Sequence, residues 1–277
     1  KEVSVSWCSF INSEKIWWKR MIQNYGDKDI HEDPAVWRKV IVRTPIEIVK
    51  KFAIASRKFY KCYEKGKKYS PLHIIATSGD LQLCMEILKK VDEKNQANSC
   101  EFSPLYLATH NGNYDVCKLI IDNGDVKNPA NNNGFTPLYL AAQNGHFDIF
   151  KLIIDNVDEK NPASIDGFTP LHLAASVGHI GICKLIIDNV GNKNPANTIG
   201  FTPLHIAAQN GHFDVCKFAI ANVVEKNPAS NNGLTPLHLA AQNGHYDICK
   251  IIVENVDDKN PAANDGFTPL HQICRQG

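Results

Sequence analysis

The sequence predicts an all-α protein: a solenoid of short helix pairs, joined by β-hairpin loops and preceded by a small helical N-terminal module. Three observations carry this prediction. Prolines recur every 33 residues from Pro71 to Pro269, a glycine follows each proline eight residues later, and a tryptophan-rich segment without the repeat precedes the array. A single helix pair leaves one apolar face uncovered, so repeats of this length must stack on their neighbours.

Each repeat starts with a short helix whose two ends are marked in the sequence. In the fourth repeat, Thr169 is a helix-capping residue and Pro170 suits the first turn, where a missing N–H costs nothing. Gly178 supplies the left-handed residue that stops the helix. In the second helix, Ile182 and Ile186 have the spacing of an inward face. The letters KNPA and a glycine-containing tip then form the hairpin, and each tip takes the number of the repeat whose helices follow it.

The ends of the second helices are marked less clearly. Glycine stands there at Gly124, whereas valine stands at equivalent positions such as Val190 and Val223. We expect the preceding asparagines, Asn189 and Asn222, to adopt the left-handed cap conformation instead.

The motif at the start of the first helices reads SPLH, SPLY, TPLY and then four times TPLH. Together with the 33-residue period, it resembles the ankyrin repeat. The resemblance covers residues 68–277 and implies seven repeats, the last incomplete, with a natural cap expected beyond Gly277. It also implies a non-catalytic protein that binds a protein partner through hairpin tips and first helices, on the concave side of the array.

Most histidines and five cysteines recur at fixed positions of the repeat. This recurrence argues against a catalytic or metal site. His179 and Cys183 have the i, i+4 spacing that suits zinc, but Cys183 is expected to face the core, and no second pair completes four ligands. No phosphate-binding loop, nucleophile elbow or paired acid–base motif occurs in the sequence. We therefore expect no enzyme activity, no cofactor and no metal.

Five cysteines share one position of the repeat, where they are expected to be small buried hydrophobic residues. They are Cys84, Cys117, Cys183, Cys216 and Cys249. Reduced thiols predict a cytoplasmic or nuclear protein. No apolar run approaches the roughly 18 residues of a membrane span, so we expect no membrane partner.

Charge is unevenly distributed, although the formal net charge is only +1. Residues 1–70 hold 16 Lys and Arg against 8 Asp and Glu, and residues 71–277 hold 14 against 21. A basic cluster between Arg57 and Lys68 leaves contact with nucleic acid open. A solvated helix face that meets an acidic neighbour is the preferred interpretation, because no nucleic-acid motif accompanies the cluster.

Two kinds of position are candidates for partner binding. An aromatic or apolar residue, expected on the concave face, stands two residues before each proline, and apolar residues replace polar ones in the fourth and fifth repeats. The predicted contact residues are Phe135, Ile165, Phe168, Val177, Ile199, Phe201, Leu234 and Phe267. Exposed apolar groups of this kind anchor protein interfaces. Two alternatives stay open. In the first, each ring packs on its neighbour and only stabilises the stack of repeats. In the second, the aliphatic residues reflect sequence drift in a degenerate repeat.

The N-terminal segment SWCSFINSEKIWWKRM has no counterpart in the repeats. Trp7 lies ten residues before Trp17, a polar break separates them, and Ile16 directly precedes Trp17. This pattern resembles the second half of an F-box, in which a tryptophan, a polar break and a Leu-Trp pair close a small helical bundle. The first half is expected before Lys1. The alternative is a generic tryptophan-rich helical cap.

The predicted domains are an F-box-like segment over residues 1–25, a helical linker and N-terminal cap over 26–67, and the repeats over 68–277. The two resemblances together imply a substrate receptor of a Skp–cullin–F-box ubiquitin ligase, in which the F-box-like core holds the Skp adaptor and the repeats hold the target protein. One alternative is an ankyrin scaffold or adaptor unrelated to ubiquitin. Another is an adaptor that contacts nucleic acid through the basic N-terminal part.

Overall fold

A computed structural model describes residues 70–89 and 102–276 of the chain, and the statements below concern that part. The chain divides into two compact units, Lys1–Asp125 and Val126–Gly277. The first unit contains helices α1 (Pro71–Ala76), α2 (Leu81–Leu88), α3 (Pro104–His110) and α4 (Tyr114–Asn123). The second contains α5 (Pro137–Asn144), α6 (Phe147–Ile154), α7 (Pro170–Val177), α8 (Ile180–Asn189), α9 (Pro203–Asn210), α10 (Phe213–Asn222), α11 (Pro236–Gln242), α12 (Tyr246–Val253) and α13 (Pro269–Gln276).

The described residues form repeated helix pairs without a β-strand, which confirms the predicted all-α class. The hairpins between the pairs are turns rather than strand pairs. The predicted N-terminal helical module, with its F-box-like core of Trp7, Ile16 and Trp17, lies outside the described residues.

The first helices begin and end where the sequence predicts. Thr169 has extended backbone (φ −119°) directly before α7, and it forms a capping box with His172. Pro170 is the first residue of α7. Gly178 follows the helix at φ 84°, the left-handed conformation in which the N–H groups of Gly178 and His179 both donate to the Ala174 carbonyl.

The predicted left-handed caps at the ends of the second helices are wrong. Asn189 and Asn222 are the last residues of α8 and α10, and extended residues follow them, with φ −124° at Val190 and −107° at Val223. The side-chain amide of Asn189 instead donates to the carbonyl of Leu185, 2.8 Å away. This bond fixes the Asn189 side chain along the last turn of α8, and the chain leaves the helix through the extended Val190.

The core of each compact unit lies between two rows of helices. In the first unit α1 packs against α3, and α2 against α4. In the second unit the first helices pack in the order α5, α7, α9, α11 and α13, and the second helices in the order α6, α8, α10 and α12. Ala174 and Ala175 of α7 are fully buried, and so is Ile186 of α8. Small residues on the first helices let the second helices approach closely, which is how a 33-residue unit builds a packed interior.

Four of the five repeated cysteines are buried free thiols, as predicted. The expectation is wrong at Cys249, which is half-buried because no further second helix follows α12 within the described residues. Burial raises the pKa of the four buried thiols to about 12. These are Cys84, Cys117, Cys183 and Cys216.

Candidate protein-interaction surface

The tips of the second compact unit are a row of similar tight turns. They comprise residues 131–134, 164–167, 197–200, 230–233 and 263–266. In the fourth tip the Gly167 N–H donates to the Ser164 carbonyl at 2.9 Å, and the Ser164 N–H donates to the Phe168 carbonyl at 2.7 Å. Gly167 has φ +77°, and a Cβ there would lie 2.8 Å from the Cα of Asn197 in the next tip. Glycine therefore permits both the turn and the close approach of adjacent tips.

Backbone hydrogen bonds join each tip to the next one along the row. The Ile165 N–H donates to the Asn133 carbonyl, and the Thr198 N–H donates to the Asp166 carbonyl, both at 3.1 Å. The Ile199 carbonyl accepts the Asn231 N–H at the same distance. The tips consequently form one ordered ribbon of backbone, from which the two middle side chains of each tip project.

The two isoleucines of this ribbon project into solvent. Ile165 is 70% exposed and Ile199 is 55% exposed. They lie on adjacent, hydrogen-bonded tips, because Ile165 is the chain neighbour of Asp166, and Ile199 is the chain neighbour of Thr198. Large exposed aliphatic side chains on an ordered backbone are suited to contact another molecule.

Val177 is also exposed, but it lies apart from the isoleucines. It is the last residue of α7, whereas the fourth tip precedes the first residue of that helix. An eight-residue helix is about 12 Å long, so the predicted residues form two separate apolar spots rather than one patch.

The aromatic residues before each proline pack within their own repeat. The rings of Phe135, Phe168 and Phe201 are half-buried, and each lies on the side chain four residues later. Ring centroids are 4.7 Å apart for Phe135 and Tyr139, 5.5 Å for Phe168 and His172, and 5.1 Å for Phe201 and His205. Leu234 is half-buried and Phe267 is exposed. The rings of Phe135, Phe168 and Phe201 thus pack on side chains of their own repeats rather than on one another, and each offers only part of its surface to a ligand.

The histidines of the TPLH motif connect one repeat to the next. His172 accepts the Thr169 N–H at Nδ1 (3.1 Å), and its Nε2–H donates to the Phe201 carbonyl of the following repeat (3.0 Å). The same link runs from His205 to the Leu234 carbonyl and from His238 to the Phe267 carbonyl. The sequence pattern did not predict this link between repeats.

Burial keeps these imidazoles neutral. It lowers the pKa of His172 and His205 to about 4, against the opposing effect of their bonds to backbone carbonyls. In the first compact unit, burial likewise lowers the pKa of His73 to about 4. Imidazoles that are neutral and hydrogen-bonded at both ring nitrogens stabilise the fold and are not available as general acids or bases.

The hydrogen bond made by the asparagine of the KNPA motif was also not predicted from the sequence. The Asn161 Oδ1 accepts the Leu171 N–H, ten residues later, at 3.0 Å. Equivalent bonds are made by Asn128, Asn194, Asn227 and Asn260. Each bond ties the base of a hairpin to the first turn of the following helix. The recurrence of KNPA at a fixed distance before TPLH was the available signal.

Residues 70–89 and 102–276 contain neither a cluster of metal ligands nor a helix that could span a membrane. No group of His, Cys, Asp and Glu there is arranged to hold a metal ion. Cys183 is buried, whereas the ring of His179 lies where a Cβ on Gly145 would stand, so the i, i+4 pair does not converge on one site. None of the helices in this part has the length and hydrophobicity to cross a bilayer.

Comparison with known families agrees with this geometry. A family model of three ankyrin repeats matches overlapping stretches of the chain, at residues 42–130, 72–162, 125–197, 155–228, 190–263 and 219–277. The chain belongs to the ankyrin-repeat family. No curated protein with which the chain was compared matches it. Ankyrin repeats are typically non-catalytic interaction domains, and they indicate a role in protein–protein interaction.

Proposed function

We propose that the array binds a target protein along its tips and first helices, with the energetic anchor at the fourth and fifth tips. The observation that carries this proposal is the exposure of Ile165 and Ile199 on an ordered ribbon. A few well-packed, desolvated residues near the centre of an interface contribute most of its binding energy. The remaining proposed contacts are Phe135, Phe168, Val177, Phe201, Leu234 and Phe267.

The test compares proteins that co-purify with the wild-type chain and with the Ile199→Asp variant. We expect Ile199→Asp to weaken target binding by about 2 kcal/mol, roughly thirtyfold, because it places a charge in an apolar contact. Asn232→Asp, at the equivalent position of the sixth tip, is the matched control. A target that tolerates Ile199→Asp but is lost when Leu234 or Phe267 changes would move the site to the C-terminal repeats. Melting of the array by Ile199→Asp would assign the residue to packing.

We further propose that the chain presents this target to a Skp–cullin–F-box ubiquitin ligase as a non-catalytic substrate receptor. The spacing of Trp7, Ile16 and Trp17 supports this proposal through its resemblance to an F-box. Holding the target beside the ligase raises its effective concentration there. A cytoplasmic or nuclear location is consistent with the proposal, since the repeated thiols are free.

The ligase assignment is tested by co-expressing the protein with a Skp adaptor. We expect the adaptor to co-purify with the wild-type protein and to be lost from the Trp7→Ala and Trp17→Ala variants. A folded protein that captures a target but never the adaptor would favour a scaffold unrelated to ubiquitin.

A further inference from the structure

The exposed middle residues of the five tips are mostly uncharged. All five tips contribute amide, hydroxyl or aliphatic side chains there, and the fourth and seventh also contribute a carboxylate. The middle pairs are Asn132 and Asn133, Ile165 and Asp166, Thr198 and Ile199, Asn231 and Asn232, and Asn264 and Asp265. Any preference of this ribbon for charge therefore depends on Asp166 and Asp265.

The two carboxylates differ in what they bind. Asp265 accepts the Phe267 N–H at 3.0 Å, since the seventh tip begins with Ala263, which has no side-chain acceptor. In the fourth tip Ser164 accepts the equivalent Phe168 N–H through its hydroxyl at 3.1 Å. No described residue donates to the Asp166 carboxylate or forms an ion pair with it. Asp166 is thus the tip carboxylate whose hydrogen-bonding capacity is free.

Asp166 and the two exposed isoleucines lie on the same pair of hydrogen-bonded tips. Ile165 precedes Asp166 in the chain, and the Asp166 carbonyl accepts both the backbone N–H and the hydroxyl of Thr198, each at 3.1 Å. Ile199 follows Thr198, and its N–H donates to the Asn197 Oδ1 at 3.1 Å. These bonds hold the residues that carry one acidic and two apolar side chains in neighbouring positions before any ligand binds, which lowers the entropy cost of binding.

We propose that the fourth and fifth tips recognise a protein segment that carries an arginine or lysine flanked by large apolar side chains. The basic group pairs with Asp166, preferably as a bidentate guanidinium contact, and the flanking apolar groups cover Ile165 and Ile199. This inference rests on the proposed function and adds the chemistry of the partner to it. A segment with an acidic centre is disfavoured, because it would bring like charges together.

The test selects binders from a displayed library of random peptides of about twelve residues, using the whole chain as bait. We expect the wild-type chain to enrich peptides with Arg or Lys next to large apolar residues. Affinities of the enriched peptides are then measured by fluorescence anisotropy at low and high salt. Asp166→Asn should weaken them about tenfold or more, the size of a lost charge-assisted hydrogen bond, and high salt should weaken the wild-type complex more than that of Asp166→Asn.

Charge reversal gives the sharpest comparison. Asp166→Lys should lose the basic peptides and enrich acidic ones from the same library, whereas Asp265→Lys, the matched control, should select as the wild type does. The double variant Ile165→Asn with Ile199→Asn copies the sixth tip and should lose both peptide classes.

The outcomes separate this proposal from the proposed function. If the affinity of the peptides depends on the isoleucines but is unchanged by Asp166→Lys, the proposal of a basic partner is wrong, whereas the proposed anchor at the tips still holds. Peptides whose affinity is unchanged by all these substitutions would contradict the tip site as well. Failure of the wild-type chain to enrich any peptide would contradict both.

Discussion

At the scale of single residues, the glycines that end the first helices meet two requirements at once. Gly178 has φ +84°, and a Cβ there would lie 2.6 Å from the Nδ1 atom of His212 in the next repeat. That histidine donates its Nε2–H to the Ser176 carbonyl at 3.0 Å. The glycine thus closes its own helix and makes room for the ring that covers the helix end.

We predict that Gly178→Ala lowers the free energy of unfolding by about 2 kcal/mol. The left-handed backbone alone costs an L-residue about 1–2 kcal/mol, and displacement of the His212 ring adds to that cost. Equilibrium denaturation in urea measures the change. Gly191→Ala is the matched control, since nothing lies within 4 Å of the added carbon, and it should leave stability nearly unchanged. Equal stability of the two variants would contradict this role of Gly178.

Gly178 also shows what can be predicted from a sequence. Its position eight residues after a proline is enough to assign a helix end, because few residues other than glycine tolerate that backbone. The contact with His212 involves a different repeat, and local patterns contain no information on which atoms meet there. The fourth tip and the exposure of Ile165 were predictable in the same way. The free hydrogen-bonding capacity of the Asp166 carboxylate was not, because it depends on the Ser164 hydroxyl, which accepts the Phe168 N–H.

At the scale of helices, polar side chains supply the contacts that connect one repeat to the next. His172 spans from the cap of α7 to the Phe201 carbonyl, and Asn161 spans from a hairpin base to the first turn of α7. The helix starts were predictable from Thr-Pro and the helix stops from glycine. These links were not, since each joins atoms that come together only after the chain has folded. The left-handed cap expected at Asn189 is also absent, because the residue stays helical and the extended Val190 follows it.

We predict that acid weakens the array through its buried histidines. Their folded pKa is about 4, and in the unfolded chain it is near the ordinary 6.5. Their contribution is fully present above pH 6.5. As the pH falls from 6.5 to about 4, only the unfolded chain takes up protons, so the free energy of unfolding decreases.

The decrease reaches at most about 3 kcal/mol for each such imidazole, and denaturation curves between pH 7 and pH 4.5 measure it. Replacing His205 by Asn should lower stability at pH 7 and make its dependence on pH shallower. Replacing the exposed His271 by Asn removes its local bonds to Thr268 and should lower stability less than replacing His205 does. A dependence on pH that is the same in all three proteins would show that other groups titrate.

At the scale of the whole molecule, the second compact unit is not equally well covered along its length. Leu204 of α9 and Leu237 of α11 are buried, whereas the equivalent Leu270 of α13 is 58% exposed. Ile273 of α13 is exposed too. Since a repeat gains its stability from its neighbours, a helix that the described residues cover on one side only opens at lower cost.

We predict that hydrogen exchange follows this gradient. Backbone amides of α13 should exchange fastest among the first helices of the second unit, and those of α9 slowest, because α9 packs between α7 and α11. Mass spectrometry of peptides from the labelled protein resolves the two. Protection of α13 equal to that of α9 would show that another surface covers it in solution.

The histidine links between repeats have a spectroscopic consequence. Each Nε2 proton of His73, His172, His205 and His238 sits in a buried bond to a carbonyl of the neighbouring repeat. Such a proton exchanges slowly with water, so it gives its own resonance, downfield of the amides, in a proton spectrum. Loss of one resonance during heating or partner binding would identify which junction between repeats had opened.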